Sequence, residues 1–161
     1  MKKSQNSIKE FYKKHSQELR FSHRIFKILS LIPSWVYQKT VLDVGCGNCF
    51  ITKAMNVYGT VTGIDIEGDI CTYKSDIKYD VVTCFDVLEH VENFYEAVVN
   101  ILDLCKPGGL VIVNQPEHTD SSQPIDNLVT LGSLMHFGKP IYLENYQSGK
   151  NESYNFIVFK T

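Results

Sequence analysis

The residues able to do chemistry fall into three short runs. Asp86-Val87-Leu88-Glu89-His90 puts two carboxylates and an imidazole inside five positions, a grouping suited to proton transfer or to a hard divalent cation. His118 lies in a second polar run, Asn114 to Pro124, NQPEHTDSSQP. The third is Val41 to Asn48, VLDVGCGN, followed by Thr62 to Glu67, TGIDIE. Glycines at Gly45 and Gly47 let backbone turn sharply and lie against a ligand. An acid about 20 residues after such a turn, here Asp65, can accept hydrogen bonds from ribose hydroxyls. A dinucleotide fingerprint needs a third glycine, and Phe50 stands in its place. No G-x-x-x-x-G-K-[ST] occurs, which excludes the phosphate-cradling P-loop.

The elements that must position these residues follow from hydrophobic pattern. Thr40 to Val44 reads as a buried strand, the glycines as its turn, and Cys49 to Tyr58 as a helix. Thr60 to Ile64 is a second strand ending at Asp65. In a doubly wound sheet, ligands sit outside the carboxyl ends of the strands, so Gly45, Gly47 and Asp65 converge on one crevice. Asp80 to Phe85 is a continuous apolar strand of the kind buried on both faces of a parallel sheet. Asn93 caps a helix running to about Cys105, Lys106-Pro107-Gly108-Gly109 breaks it, and Leu110 to Val113 is the next strand. Asn114 to Pro124 is predicted as a loop, Ile125 to His136 as a helix, and Pro140 to Glu144 with Tyr154 to Phe159 as an antiparallel hairpin. Ahead of all this, Ser4 to Ile32 carries helical spacing, stopped by Pro33. The expected organisation is a helical arm over 1–35 and a binding domain over 36–161.

These runs, in this order, resemble the class I S-adenosylmethionine-dependent methyltransferases. The resemblance rests on D-x-G-x-G at Asp43, Gly45 and Gly47, the acid Asp65, DVVTCFDVLEH from Asp80 to His90, and LCKPGGLVIV from Leu104 to Val113, and covers roughly residues 35–115. It implies an α/β, Rossmann-like sheet, mostly parallel, closed by an antiparallel C-terminal hairpin. It further implies S-adenosylmethionine as cofactor, held by Asp43, Gly45, Cys46, Gly47, Asp65, Ile66, Asp69, Phe85 and Asp86. His90 and His118 are the candidate general bases, and Tyr12 and His15 candidate pocket residues on the arm. The chain departs from the family between Ile66 and Tyr79, too short for a helix plus a third strand. Two placements stay open there: Gly68-Asp69 beside the adenine with the helix missing, or Ile70 to Tyr73 as a stunted strand with Asp76 in that role.

The acceptor expected from the resemblance is a small molecule methylated on oxygen or nitrogen. A second reading, motivated by the shortened segment, is a cofactor-binding or partner-binding module without catalysis. A third compares Asp86-x-x-Glu89-His90 with the E-x-x-E-H of metal-dependent RNA 2′-O-methyltransferases, His118 or His136 completing the ligands. It would suit the basic arm: residues 1–27 hold eight Lys or Arg against Glu10 and Glu18, a net of +6, leaving −8 for the rest of a chain whose net charge is −2. A solvated helix face explains such an arm more simply than a nucleic acid, and no metal is expected. The five cysteines, Cys46, Cys49, Cys71, Cys84 and Cys105, include one C-x-x-C but no second, against a zinc or redox centre. The absence of a signal peptide and of a long apolar run predicts a cytoplasmic protein off the membrane.

Overall fold

Apolar, largely β-branched runs make the strands, and burial on both faces makes the centre of the sheet parallel. The computed structural model describes residues 23–65, 69–119, 126–148 and 152–161. Helix α1 is His23–Leu31 and α2 Pro33–Val36; then come β1 (Thr40–Val44), α3 (Phe50–Met55), β2 (Thr60–Ile64), β3 (Tyr79–Phe85), a 3-10 turn Leu88–His90, α4 (Phe94–Leu104), β4 (Cys105–Pro116), α5 (Leu131–Leu134), β5 (Lys139–Gln147) and β6 (Ser153–Lys160). The strand order is β2-β1-β3-β4-β6-β5. Pairs from β2 through β4 are parallel, and β6 pairs antiparallel with both β4 and β5. This is the expected sheet with its closing hairpin.

Alternation along the strands sends side chains to two cores. On one face Ile28 of α1, Val36 of α2 and Ile32 between them pack with Val41, Val81, Ile112 and Val158. On the other, Ala97, Val98, Ile101 and Leu104 of α4 pack with Leu42, Val82, Val111 and Phe159. Helix α4 starts where expected, with Asn93 Oδ1 accepting from the Glu96 N–H at 3.2 Å. Pro33 does not end the helical arm but opens α2 at its first position, where a missing N–H costs nothing.

No strand lies between β2 and β3 among the described residues, and β2 is the edge of the sheet. Ile70 to Tyr73 is a turn rather than a stunted strand: Asp69 O accepts from the N–H groups of Thr72 at 2.9 Å and Tyr73 at 2.7 Å. Asn100, buried on α4, clamps it by donating to Ile70 O at 2.6 Å and Tyr73 O at 2.7 Å. Ile70 thereby enters the core in place of a whole strand.

Several boundaries differ from the sequence expectation; β4, for one, begins at Cys105 rather than at Leu110. Helix α3 starts after Cys49, which sits in the left-handed region at φ +58° and cannot continue a helix, and it stops at Met55, beyond which the Val57 N–H donates to Ala54 O at 3.3 Å in a tighter turn. Asn114, Gln115 and Pro116 belong to β4 and are buried, so the polar loop begins later. The helix expected over Ile125 to His136 shrinks to α5 and the 3-10 turn Met135–Phe137. There the Asn127 N–H donates to Glu89 O at 2.8 Å and its side-chain amide to Val91 O at 3.2 Å, an alternative to helical bonding typical of Asn.

Candidate active site

Because β1 and β2 pair in parallel, their carboxyl ends carry the glycine turn and Asp65 to the same place. The turn is fastened there by the Cys46 N–H, which donates to Ile64 O at 2.9 Å. Gly45 and Gly47 take φ +70° and +53°. A Cβ on Gly45 would meet Val87 Cγ2 at 2.2 Å, whereas one on Gly47 would find nothing nearer than Gly45 O at 4.0 Å. Gly45 is thus closed in by protein, and Gly47 faces open space where a ligand can lie on bare backbone.

Asp43 supports the turn from beneath. Only 3% exposed, it accepts from Thr52 Oγ1 at 2.6 Å and Thr83 Oγ1 at 2.7 Å, tying β1 to α3 and β3. Burial pushes its carboxyl up to about 6, against the two hydroxyl bonds. That value exceeds the unfolded one of about 3.9, so the fold favours protonated Asp43. The stability this confers is full below pH ~4 and is lost as pH rises through ~6. Asp43→Asn has no charge to bury, so its stability relative to the parent is expected to improve by roughly 2–3 kcal/mol between pH 4 and pH 7. Urea melts at both pH values measure this, and parallel pH profiles would remove the buried charge from the account.

Of the other cofactor candidates, Ile66 lies outside the described residues, as do Tyr12 and His15. Asp69 is exposed, and its Oδ1 accepts from the Cys71 N–H at 2.9 Å. Phe85 is 8% exposed, stacked 6.4 Å from Phe156. Asp86 follows it at φ +56°, its N–H donating to Asn114 O at 2.9 Å and its Oδ1 accepting from Asn114 Nδ2 at 3.0 Å. Arg24 Nε of α1 lies 3.1 Å from the other oxygen. Burial raises the Asp86 carboxyl, and Arg24 opposes the rise.

Around this pair the structure assembles His118, a candidate from the sequence, with Tyr146 and Tyr154, which spacing did not reveal. Tyr146 donates to Asn114 Oδ1 at 2.7 Å. Arg24 Nη1 donates to Tyr154 Oη at 3.1 Å, with the guanidinium 5.3 Å from the Tyr154 ring centre. His118 meets Tyr154 edge-on at 5.6 Å, and its Nδ1 is buried without a hydrogen-bond partner. One signal was available: the chain has two arginines, Arg20 and Arg24, against fourteen lysines, and arginine suits buried pairing better than lysine. Lys27, next along the arm, pairs with Glu144. The two described cations of α1 therefore face the chain's own acids rather than solvent.

Glu89 occupies the opposite face of the sheet, 2% exposed, with Oε2 accepting from Gln115 Nε2 at 3.0 Å. Burial, then the charge of Asp86, pushes it up to about 8. His90 Nε2 is 3.7 Å from Glu89 Oε1 and its Nδ1 is 3.9 Å from Asp126 Oδ1. Among the described residues no three His, Cys, Asp or Glu side chains are grouped to hold an ion, and none of the helices is long and apolar enough to cross a membrane.

A family model described as a methyltransferase domain matches residues 14–158. The chain belongs to that family. The ubiquinone biosynthesis O-methyltransferase of Rickettsia bellii is 31% identical over 102 residues, which are 49% of this chain and 42% of that protein. The chain spans about half the length of the curated relatives it matches. Among solved structures, the 1,6-didemethyltoxoflavin-N1-methyltransferase of Burkholderia thailandensis, bound to its substrate and S-adenosylhomocysteine, superposes with TM-score 0.78 at 13% identity, over 97% of this chain and 88% of that one. The N-methyltransferase NodS of Bradyrhizobium japonicum, with S-adenosylhomocysteine, gives 0.66 at 13% identity, over 92% and 86%. At such identities the structural likeness establishes the class I methyltransferase fold.

Proposed function

We propose that this methyltransferase-family chain transfers a methyl group from S-adenosylmethionine to an oxygen or nitrogen of a small polar acceptor. The observation that carries the reading is the bond from Cys46 N–H to Ile64 O, which joins the glycine turn to the strand tip bearing Asp65. The residues fit the cofactor: Gly47 leaves room for it, and Asp65, half-buried at the strand tip, offers a carboxylate for the ribose hydroxyls. Asp69, exposed beyond β2, is the candidate for the adenine side. S-adenosylmethionine, when bound, supplies a methyl group already activated on a sulfonium.

The protein then has to align the acceptor and exclude water. Asn114, Tyr146 and Tyr154 form the polar floor of the acceptor side, and Arg24 reaches it from α1. This supports a binding domain over 36–161 with α1 packed against it. His118 is the base for a hydroxyl acceptor, its unpartnered Nδ1 taking the proton. His90, with a carboxylate near each ring nitrogen, holds the Leu88–His90 turn beside Asp86. The five thiols are free, in keeping with a reducing cytoplasm.

Calorimetry with S-adenosylhomocysteine tests the reading. The parent is expected to bind, and Asp65→Ala to bind roughly 10–100-fold more weakly, the worth of hydrogen bonds to a charged group. No binding at millimolar ligand, or equal binding by the variant, would sink it. A chain that binds the cofactor yet methylates nothing in an acceptor screen would instead be a binding module, the reading that the shortened Ile66 to Tyr79 segment favours.

A further inference from the structure

Cys46 and Cys49 bring their sulfurs to 3.2 Å within the glycine turn, both half-buried. The backbone already has the closure a disulfide needs. The Cys49 N–H donates to Cys46 O at 2.7 Å, closing a four-residue turn whose end Cα atoms lie within about 7 Å, close to the disulfide range of roughly 4.4–6.8 Å. Gly47 supplies the positive φ inside the turn, and Cys49 itself is held at φ +58°. The remaining cysteines are placed otherwise: Cys84 and Cys105 are buried, and the Cys71 thiol faces Asn93 O at 3.6 Å.

We propose that Cys46 and Cys49 are an oxidation site, closed to a disulfide by a peroxide, and that closure weakens cofactor binding. The second half rests on the cofactor reading above. Burial, then Cys49, pushes the Cys46 thiol up to about 12, which makes it a poor first nucleophile. The Cys49 sulfur attacks hydrogen peroxide, forming a sulfenic acid while the thiol proton joins the departing hydroxide as a first water; the Cys46 sulfur then attacks the Cys49 sulfur, and its proton leaves with the sulfenic hydroxyl as a second water. In sum two thiols and one peroxide give one disulfide and two waters.

Bond formation draws the sulfurs together by about 1.2 Å. Cys46 cannot supply that movement freely: its N–H is tethered to Ile64 O, and its Sγ lies 3.0 Å from where a Cβ of Gly63 would be. The shift falls on Gly47 and Asn48, the part of the turn open to a ligand.

The test treats the full chain with hydrogen peroxide, maps the Cys46–Cys49 peptide by mass spectrometry, and titrates S-adenosylhomocysteine into reduced and oxidised samples. The expected result is a loss of about 2 Da on that peptide with binding weakened about tenfold or more and restored by dithiothreitol. In Cys49→Ser, peroxide should leave that variant's own affinity unchanged. Absence of the disulfide, or equal binding by both forms, overturns the proposal while leaving the cofactor reading intact. Failure of the reduced chain to bind at all would remove the cofactor reading, and the coupling with it, even where the disulfide forms.

Discussion

Asp86→Ala is expected to lower the unfolding free energy by about 3–5 kcal/mol, because it leaves the Arg24 guanidinium buried without its counter-charge. For a chain of this size that is a fall in Tm of roughly 6–20 °C. The two charges sit 3.1 Å apart with side chains about 15% exposed, so water replaces the lost partner poorly. Asp86→Asn is the cleaner variant, since asparagine tolerates the φ of +56° and keeps the shape while removing the charge. Most of the cost should remain. Arg24→Ala should cost less near neutrality, because an orphaned carboxylate can take up a proton and a guanidinium cannot lose one. Asp86 is then a buried acid with a pKa above its unfolded value, so Arg24→Ala should be most stable in acid and weaken as pH rises. Guanidinium or urea melts across pH measure all three. A neutral Asp86→Asn would mean that the pair is not buried as described, and the acceptor floor would have to be redrawn.

Gly45→Ala is expected to abolish cofactor binding and to cost roughly 2–5 kcal/mol of stability. Two terms add. An L side chain at φ +70° is strained, by about 1–2 kcal/mol. The new Cβ would also sit 2.2 Å from Val87 Cγ2, and relieving that clash must move either the turn or the segment between Asp86 and Glu89. Gly47→Ala is the control: its φ is +53°, but the nearest atom to its Cβ is 4.0 Å away. It should lose only about 1–2 kcal/mol of stability and yet weaken S-adenosylhomocysteine binding, since the methyl group enters the space left for the ligand. Should Gly47→Ala bind as well as the parent, the crevice is not where the cofactor lies.

Much of the fold is readable along the chain. Strand cores such as Val81, Val82 and Cys84, the Asn93 cap, the Gly45 and Gly47 turn and the C-terminal hairpin all depend on neighbours a few residues apart, whereas the run from Ile66 to Tyr79 leaves a stunted strand and no strand both open, and the turn at Ile70 to Tyr73 decides between them. Where local pattern competes with a distant partner, it fails. The apolar spacing over Ile125 to His136 suggests a helix, yet Asn127 bonds instead to Glu89 O and Val91 O, and the helix contracts. Asn114 looks like loop because it is polar; pairing with Phe156 and bonding to Asp86 bury it in a strand.

The glycine turn could be placed from spacing because chirality dictates which backbone conformations a residue adopts, whatever surrounds it. Arg24 meeting Asp86, Asn100 clamping Ile70, and the Cys46 and Cys49 sulfurs at 3.2 Å could not. Those depend on how α1, α4 and the turn settle on the two faces of the sheet. A charge or a thiol carries no record of its partner until packing brings the two together, and here packing joins positions 24 and 86 from opposite sides of the first β-α-β unit.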